Sequence, residues 1–182
     1  MFKQIFELFK SDSLYEQANT ECHEMLEIVR QMFNESVNSL RNSDSADIPV
    51  DIYAMDKKIN EFERDVRRKV MTHLAVGSRE DIGSGLILVS VVIDIERIGD
   101  YTKNIYDLAQ NYPKKLSSHG LEETLNDMEK STKEFLNKAI DAFKNQDIES
   151  ARNLMEEYKT DISSISNEIV NSIVSGKNAN FS

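Results

Sequence analysis

The chain has 182 residues and a formal net charge of −10, which disfavours nucleic acid as a partner because phosphate binding requires a basic patch. It has no run of about 18 apolar residues that would span a bilayer and no secretory signal pattern, so we expect a cytoplasmic protein. Only 6 Gly and 2 Pro interrupt it, which favours long helices and an all-α fold, and the single Cys22 excludes an internal disulfide.

Apolar residues spaced three and four apart predict two amphipathic helices in the first part of the chain. Helix A covers residues 14–40, and helix B covers residues 53–74 after a linker at residues 43–49 that contains Ser, Asp and Pro. Gly77 follows the last apolar position of helix B and is a typical residue at a helix C-terminus. Helix B is therefore expected to end near Gly77.

A third helix, C, is predicted over residues 78–112, and Pro113 is expected to end it. Its segment 86–95 is apolar nearly all round, which predicts burial on several sides. The β-branched residues there would also permit a strand, but the periodic flanks favour a helix. Helices A, B and C are expected to form an antiparallel three-helix bundle over residues 12–112.

Two more amphipathic helices, D and E, are predicted over residues 121–143 and 148–175. Sliding the sequence against itself by 103 positions pairs Met25 with Met128 and continues without a gap into helix E. Helix D therefore repeats helix A, and helix E repeats helix B. Residues 117–182 are predicted to form an incomplete second repeat of two helices, without a counterpart of helix C.

The apolar faces of helices D and E lack a third helix to cover them, and exposed faces of this kind usually become interfaces. We expect the groove to be covered by a second copy of the chain, by the apolar segment at residues 2–9, or by packing against the first bundle. A homo-oligomer is the favoured alternative. Segment 2–9 is equally compatible with an ordinary first helix.

The sequence contains no enzymatic pattern. The three histidines, His23, His73 and His119, never follow a Glu by three positions, which excludes the Glu-x-x-His pairs of a di-iron oxidase. They are expected at the surface or at its boundary. The sequence also lacks a Gly-rich phosphate loop, a nucleophile elbow and a Cys–His pair. The chain is therefore predicted not to be an enzyme.

Helix C carries a stripe of oxygen-bearing side chains, because Glu96, Asp100 and Asn104 recur every four residues and Asp107 follows three residues later. Carboxylates four residues apart repel each other by roughly a few tenths of a kcal/mol unless a cation lies between them. Gly99 interrupts the helix at a cost of about 1 kcal/mol relative to Ala, which is typical of a position that another helix or a ligand approaches closely.

Helix B is expected to run antiparallel to helix C from the turn that joins them, so residues equally far from that turn lie at the same height. This places Asp56 beside Asp100 and Asn60 beside Glu96. Glu63 continues the stripe of Asp56 and Asn60 on helix B. Oxygen-bearing side chains from two neighbouring helices then converge near one level, as in many metal sites of helix bundles.

An oxygen-only donor set predicts a hard cation, namely iron, manganese or magnesium rather than zinc, because zinc sites usually recruit His or Cys. The predicted metal ligands are Glu96, Asp100, Asp56 and Asn60, with Asn104 and Glu63 as secondary candidates. The alternative is an ordinary solvated acidic face, since the chain holds 32 acidic residues.

The sequence resembles the PhoU family in the segment Asp94-Ile-Glu-Arg-Ile-Gly-Asp-Tyr-Thr-Lys-Asn-Ile105, since the family signature centres on Glu-Arg-Ile-Gly-Asp followed by Asn-Ile. The segment Asp56-Lys-Lys-Ile-Asn60 is similar to the Asp-x-x-Ile-Asp segment of the family's second helix. The resemblance covers residues 14–112, and the later helices by pattern and repeat.

The resemblance implies three-helix bundles in which Glu96 and Asp100 hold metal ions. It also implies a regulatory role that links a phosphate ABC transporter to a sensor histidine kinase and represses phosphate-starvation signalling, so that the protein is peripheral to the membrane only through these partners. The alternatives are a metal-free structural or oligomerisation bundle and an accessory domain of another ion transporter.

Overall fold

The computed structural model describes residues 2–44, 48–77, 79–112, 114–117, 120–160 and 162–175, with side chains from residue 14 onward except at 79, 159 and 160. The chain divides into two compact units, Met1–Lys115 and Leu116–Ser182. Throughout the described residues the regular structure is helical and no strand is present. The predicted all-α fold is therefore confirmed.

The first unit contains three helices that pack on one another in all three pairings. They are α1 (Phe2–Asn42), α2 (Ile52–Val76) and α3 (Ile82–Asn111), and a 3-10 turn at Arg79–Asp81 precedes α3. Helix α1 starts earlier than the predicted helix A because it includes residues 2–9. The side chains of that segment lie outside the described residues, so whether they cover a groove stays a prediction.

The ends of α2 follow from residues that cap helices. Asp51 accepts a hydrogen bond from the backbone N–H of Ala54 at 2.9 Å, which satisfies one of the free N–H groups of the first turn. Gly77 ends the helix as predicted, and its N–H donates to the carbonyl of His73 at 2.7 Å. Helix α3 ends at Asn111, and Pro113 lies outside the described residues.

The core of the bundle is built from one apolar stripe of each helix. Fully or almost fully buried members are Ala18, Cys22, Met25, Val29 and Met32 on α1, Ile59, Val66 and Val70 on α2, and Leu88, Val92 and Ile95 on α3. Gly99 lies where the helices approach closely, because a Cβ there would stand 3.0 Å from Ile59 Cδ1 and 3.9 Å from Val29 Cγ2. Gly99 therefore serves helix packing.

The prediction that segment 86–95 is buried on several sides is wrong for part of the segment. Leu86 is 56% exposed and Ile87 is 66% exposed. The buried residues of α3 instead form one stripe that includes Leu88, Val92 and Ile95. Each helix of a three-helix unit has only two neighbours, so the side of α3 that faces neither α1 nor α2 stays open whatever its composition.

The prediction that His73 lies at the surface or at its boundary is also wrong, because His73 is buried. Its Nε2 lies 3.6 Å from Asp81 Oδ2, and its ring centroid lies 5.4 Å from that of Tyr15. His73 follows Val70 by three residues, so the helical period turns it to the buried side of α2. His23 is half-buried, and His119 lies outside the described residues.

The second unit contains α4 (Glu122–Lys144), α5 (Ile148–Thr160) and α6 (Ile162–Val174). The last two cover the predicted helix E in two segments on either side of residue 161, which is not among the described residues. Helix α4 contacts both α5 and α6. Ile140, Ala142 and Leu154 are buried in this unit. Its origin as a repeat of helices A and B stays a prediction.

Candidate functional site: an acidic cluster between α2 and α3

Helices α2 and α3 run antiparallel, and this orientation brings their acidic stripes together. Near the start of α2, the hydroxyl of Tyr53 donates to Asp107 Oδ1 at 2.6 Å, close to the end of α3. Near the end of α2, Leu74 lies against Gly85 at the beginning of α3. The carboxylates of Asp56, Glu63, Glu96 and Asp100 lie between these contacts, and we call these four residues the acidic cluster.

Lys103 joins the two helices at the centre of the acidic cluster. Its Nζ donates to Asp56 Oδ1 on α2 at 3.1 Å and to Asp100 Oδ1 on α3 at 2.7 Å. The hydrogen bond to Asp100 is the largest cause that raises the pKa of Lys103, and the hydrogen bond to Asp56 raises this pKa further. The side chain therefore stays an ammonium ion at neutral pH.

Asn60 and Arg67 make further interactions with the acidic cluster on α2. Asn60 Nδ2 donates to the backbone carbonyl of Asp56 at 3.0 Å and lies 3.5 Å from its Oδ2. Arg67 Nη1 donates to Glu63 Oε1 at 2.7 Å. Asn60 thus acts as a hydrogen-bond donor within its own helix, and one cation already neutralises Glu63.

Glu96 is the carboxylate of the acidic cluster whose negative charge is not balanced by a direct contact with a cation of the described residues. Within the described part of the chain it forms no hydrogen bond or ion pair. Burial is the largest cause that raises the pKa of Glu96 above its ordinary value of 4.5. The carboxylates of Asp100, Glu63 and Asp56 raise this pKa further, whereas the ammonium of Lys103 lowers it.

Residues 22–109 match the PhoU domain family, and this segment lies within the first unit and includes the whole acidic cluster. The first unit therefore contains a PhoU domain. No significant match was found among curated protein sequences or among solved structures. PhoU domains are typical of helical regulators of phosphate homeostasis, a family that is regulatory and not enzymatic.

The PhoU domain brings together only some of the residues that the sequence proposed as a site. Asp56 and Asp100 meet at one ammonium group, and Glu63 and Glu96 are close enough to influence each other. Asn104 is exposed on α3. The sequence interpretation overlooked Lys103, although its position three residues after Asp100 allows an ion pair within one helix.

The residues as placed do not fit a bound metal ion. Carboxylate oxygens suit a hard cation, but the ammonium of Lys103 lies between Asp56 and Asp100, and Asn60 offers Asp56 a donor. Among the residues that the structure describes, no three His, Cys, Asp or Glu side chains are grouped to hold a metal. Iron, manganese or magnesium at this place stays a prediction.

No helix in the described ranges is both long enough and apolar enough to cross a membrane.

The thiol of Cys22 is buried, and burial, with a smaller effect of Glu21, raises the pKa of this thiol to about 12. The thiol therefore remains protonated at neutral pH and is a poor nucleophile.

Proposed function

We propose that the protein is a cytoplasmic, non-catalytic adaptor that restrains phosphate uptake and phosphate-starvation signalling when phosphate is plentiful. In this role it docks onto components of a phosphate ABC transporter and onto a sensor histidine kinase, and it reaches the membrane only through them. The observation that carries the proposal is the PhoU domain at residues 22–109.

The side chains of this domain support an adaptor more than an enzyme. Asp56, Asp100 and Glu63 are engaged by Lys103 or Arg67, and Cys22 is a buried, protonated thiol. A catalytic group needs a reachable partner for proton transfer or a nucleophile in its reactive form. The proposed role does not depend on a metal ion.

Deletion of the gene in its source organism tests the proposal. In phosphate-rich medium, we expect the deletion strain to show raised uptake of radiolabelled phosphate and raised activity of starvation-induced phosphatase. Complementation with the wild type or with Lys57→Met, an exposed position on α2, is expected to restore repression. Val66→Asp, at a fully buried position, is expected to fail because it places an unpaired charge in the core. Unchanged phosphate uptake and phosphatase activity would contradict the role, and altered uptake of sodium or potassium would instead favour an accessory domain of another transporter.

A second candidate function is that of an oligomerisation bundle, and exposed apolar side chains on the second unit favour it. Met155, Val170, Ile173 and Val174 are all more than half exposed. Apolar surface of this kind often marks an interface. Light scattering over a concentration series tests self-association, and a constant monomer mass at all concentrations would contradict it.

A further inference from the structure

We infer that Lys103 is the resident cation of the acidic cluster and that its ammonium excludes a divalent metal ion from the place between Asp56 and Asp100. Its Nζ bridges the two helices by reaching Oδ1 of Asp56 on α2 at 3.1 Å and Oδ1 of Asp100 on α3 at 2.7 Å. These are charge-assisted hydrogen bonds of ordinary length. The place implied for a metal is therefore already occupied by a positive charge of the chain itself.

A metal ion and the Lys103 ammonium cannot occupy this position together. A hard divalent ion binds carboxylate oxygens at about 2.0–2.2 Å, so it would lie between the same two oxygen atoms that the ammonium contacts. Two cations this close repel each other strongly in a partly buried setting. Metal binding at Asp56 and Asp100 thus requires Lys103 to leave both carboxylates.

The covalent tether favours the lysine in this competition. Lys103 stands one turn after Asp100 on α3, so its ammonium stays at a high local concentration whatever the composition of the solution. A divalent ion must instead be taken from solution and lose part of its hydration shell, which Mg²⁺ does reluctantly. Asn60, which lies 3.5 Å from Asp56 Oδ2, gives the same carboxylate a second donor.

Removal of the ammonium reverses the situation. Among the described residues, the remaining ion pair of the acidic cluster is then that of Arg67 with Glu63. Repulsion among Asp56, Glu96 and Asp100 increases, and a divalent ion relieves it. Lys103→Met retains most of the apolar stem and removes the charge, so this variant is expected to gain the affinity for a hard cation that the wild type lacks.

Titration of the purified full-length protein with Mn²⁺ alone tests the inference. Free Mn²⁺ is measured by electron paramagnetic resonance for the wild type, Lys103→Met and the control Lys57→Met, which removes the same charge from an exposed position beside Asp56. We expect Lys103→Met to bind Mn²⁺ at least tenfold more tightly than the wild type. Lys57→Met is expected to behave like the wild type.

Equal affinity of the wild type and Lys103→Met, including no measurable binding by either, would overturn the inference. Tight stoichiometric binding of Mn²⁺ by the wild type would by itself also overturn the inference. This measurement on the wild type remains decisive if Lys103→Met does not fold. Lys103→Gln is a second variant with the same expected gain. The titration requires no partner protein, so a result that overturns this inference leaves the proposed regulatory role in place. In the same way, a gene-deletion result that contradicts the regulatory role leaves this inference in place.

Discussion

The two ion pairs of Lys103 differ in burial, and this difference predicts unequal contributions to the free energy of unfolding. The carboxylate of Asp56 is 16% exposed and that of Asp100 is 45% exposed, while the Lys103 side chain is 24% exposed. An exposed ion pair contributes about 0.2–1 kcal/mol. A hydrogen bond to a charged group contributes about 1.5–3 kcal/mol where water is largely excluded.

We therefore expect a coupling energy of about 1–2 kcal/mol between Lys103 and Asp56, which lies between these two limits. The coupling between Lys103 and Asp100 is expected to stay below about 1 kcal/mol, because that pair is more exposed and lies within one helix. The order is opposite to that of the distances, since the Asp100 contact is 2.7 Å long and the Asp56 contact is 3.1 Å long. Burial outweighs this difference in length.

Two double-mutant cycles measure these couplings by urea unfolding at neutral pH. One cycle combines Lys103→Met with Asp56→Asn, and the other combines it with Asp100→Asn. Added salt is expected to weaken the Asp100 coupling more than the Asp56 coupling, because exposed charges are screened more effectively. A larger coupling to Asp100, or equal couplings with equal salt dependence, would refute the argument from burial.

Four further substitutions test the acidic cluster and the helices that carry it. Glu96→Gln is expected to raise the free energy of unfolding at pH 7 by roughly a few tenths of a kcal/mol, because it removes repulsion between like charges. The pKa of Glu96 is raised in the folded protein, so ionisation of Glu96 destabilises the fold as the pH rises through that pKa. The gain in the free energy of unfolding from Glu96→Gln should therefore vanish below pH 4.5, the ordinary pKa of the side chain. Urea unfolding at several pH values measures this. Asp51→Ala is expected to lower the free energy of unfolding by about 1 kcal/mol through loss of the helix cap, and an unchanged urea midpoint would contradict this. Gly83→Ala should raise the melting temperature because it adds up to about 1 kcal/mol to the free energy of unfolding, since no neighbouring atom lies within 4 Å of a Cβ at that position. Gly99→Leu should lower the melting temperature, because overpacking against Ile59 costs about 1–3 kcal/mol of the free energy of unfolding.

The periodic pattern predicted features that depend on local sequence. Residues three, four and seven apart on one helix share a side, and the buried residues Ile59, Val66 and Val70 of α2 follow this period. The end of α2 at Gly77 also follows from local backbone chemistry. Counting from the turn between α2 and α3 placed Asp56 near Asp100, because every helical residue advances the chain by the same rise.

Tertiary structure decided which side chains meet once the helices are in place. The sequence cannot show how many neighbours cover a helix, so it did not reveal that Leu86 and Ile87 stay exposed on an apolar segment. Residue types and spacing suggested a metal between Asp56 and Asp100, but whether a cation of the chain already reaches that point depends on the separation of the two helices and on the reach of a long side chain. Lys103 spans that separation, and this contact between helices decided how the acidic cluster is neutralised.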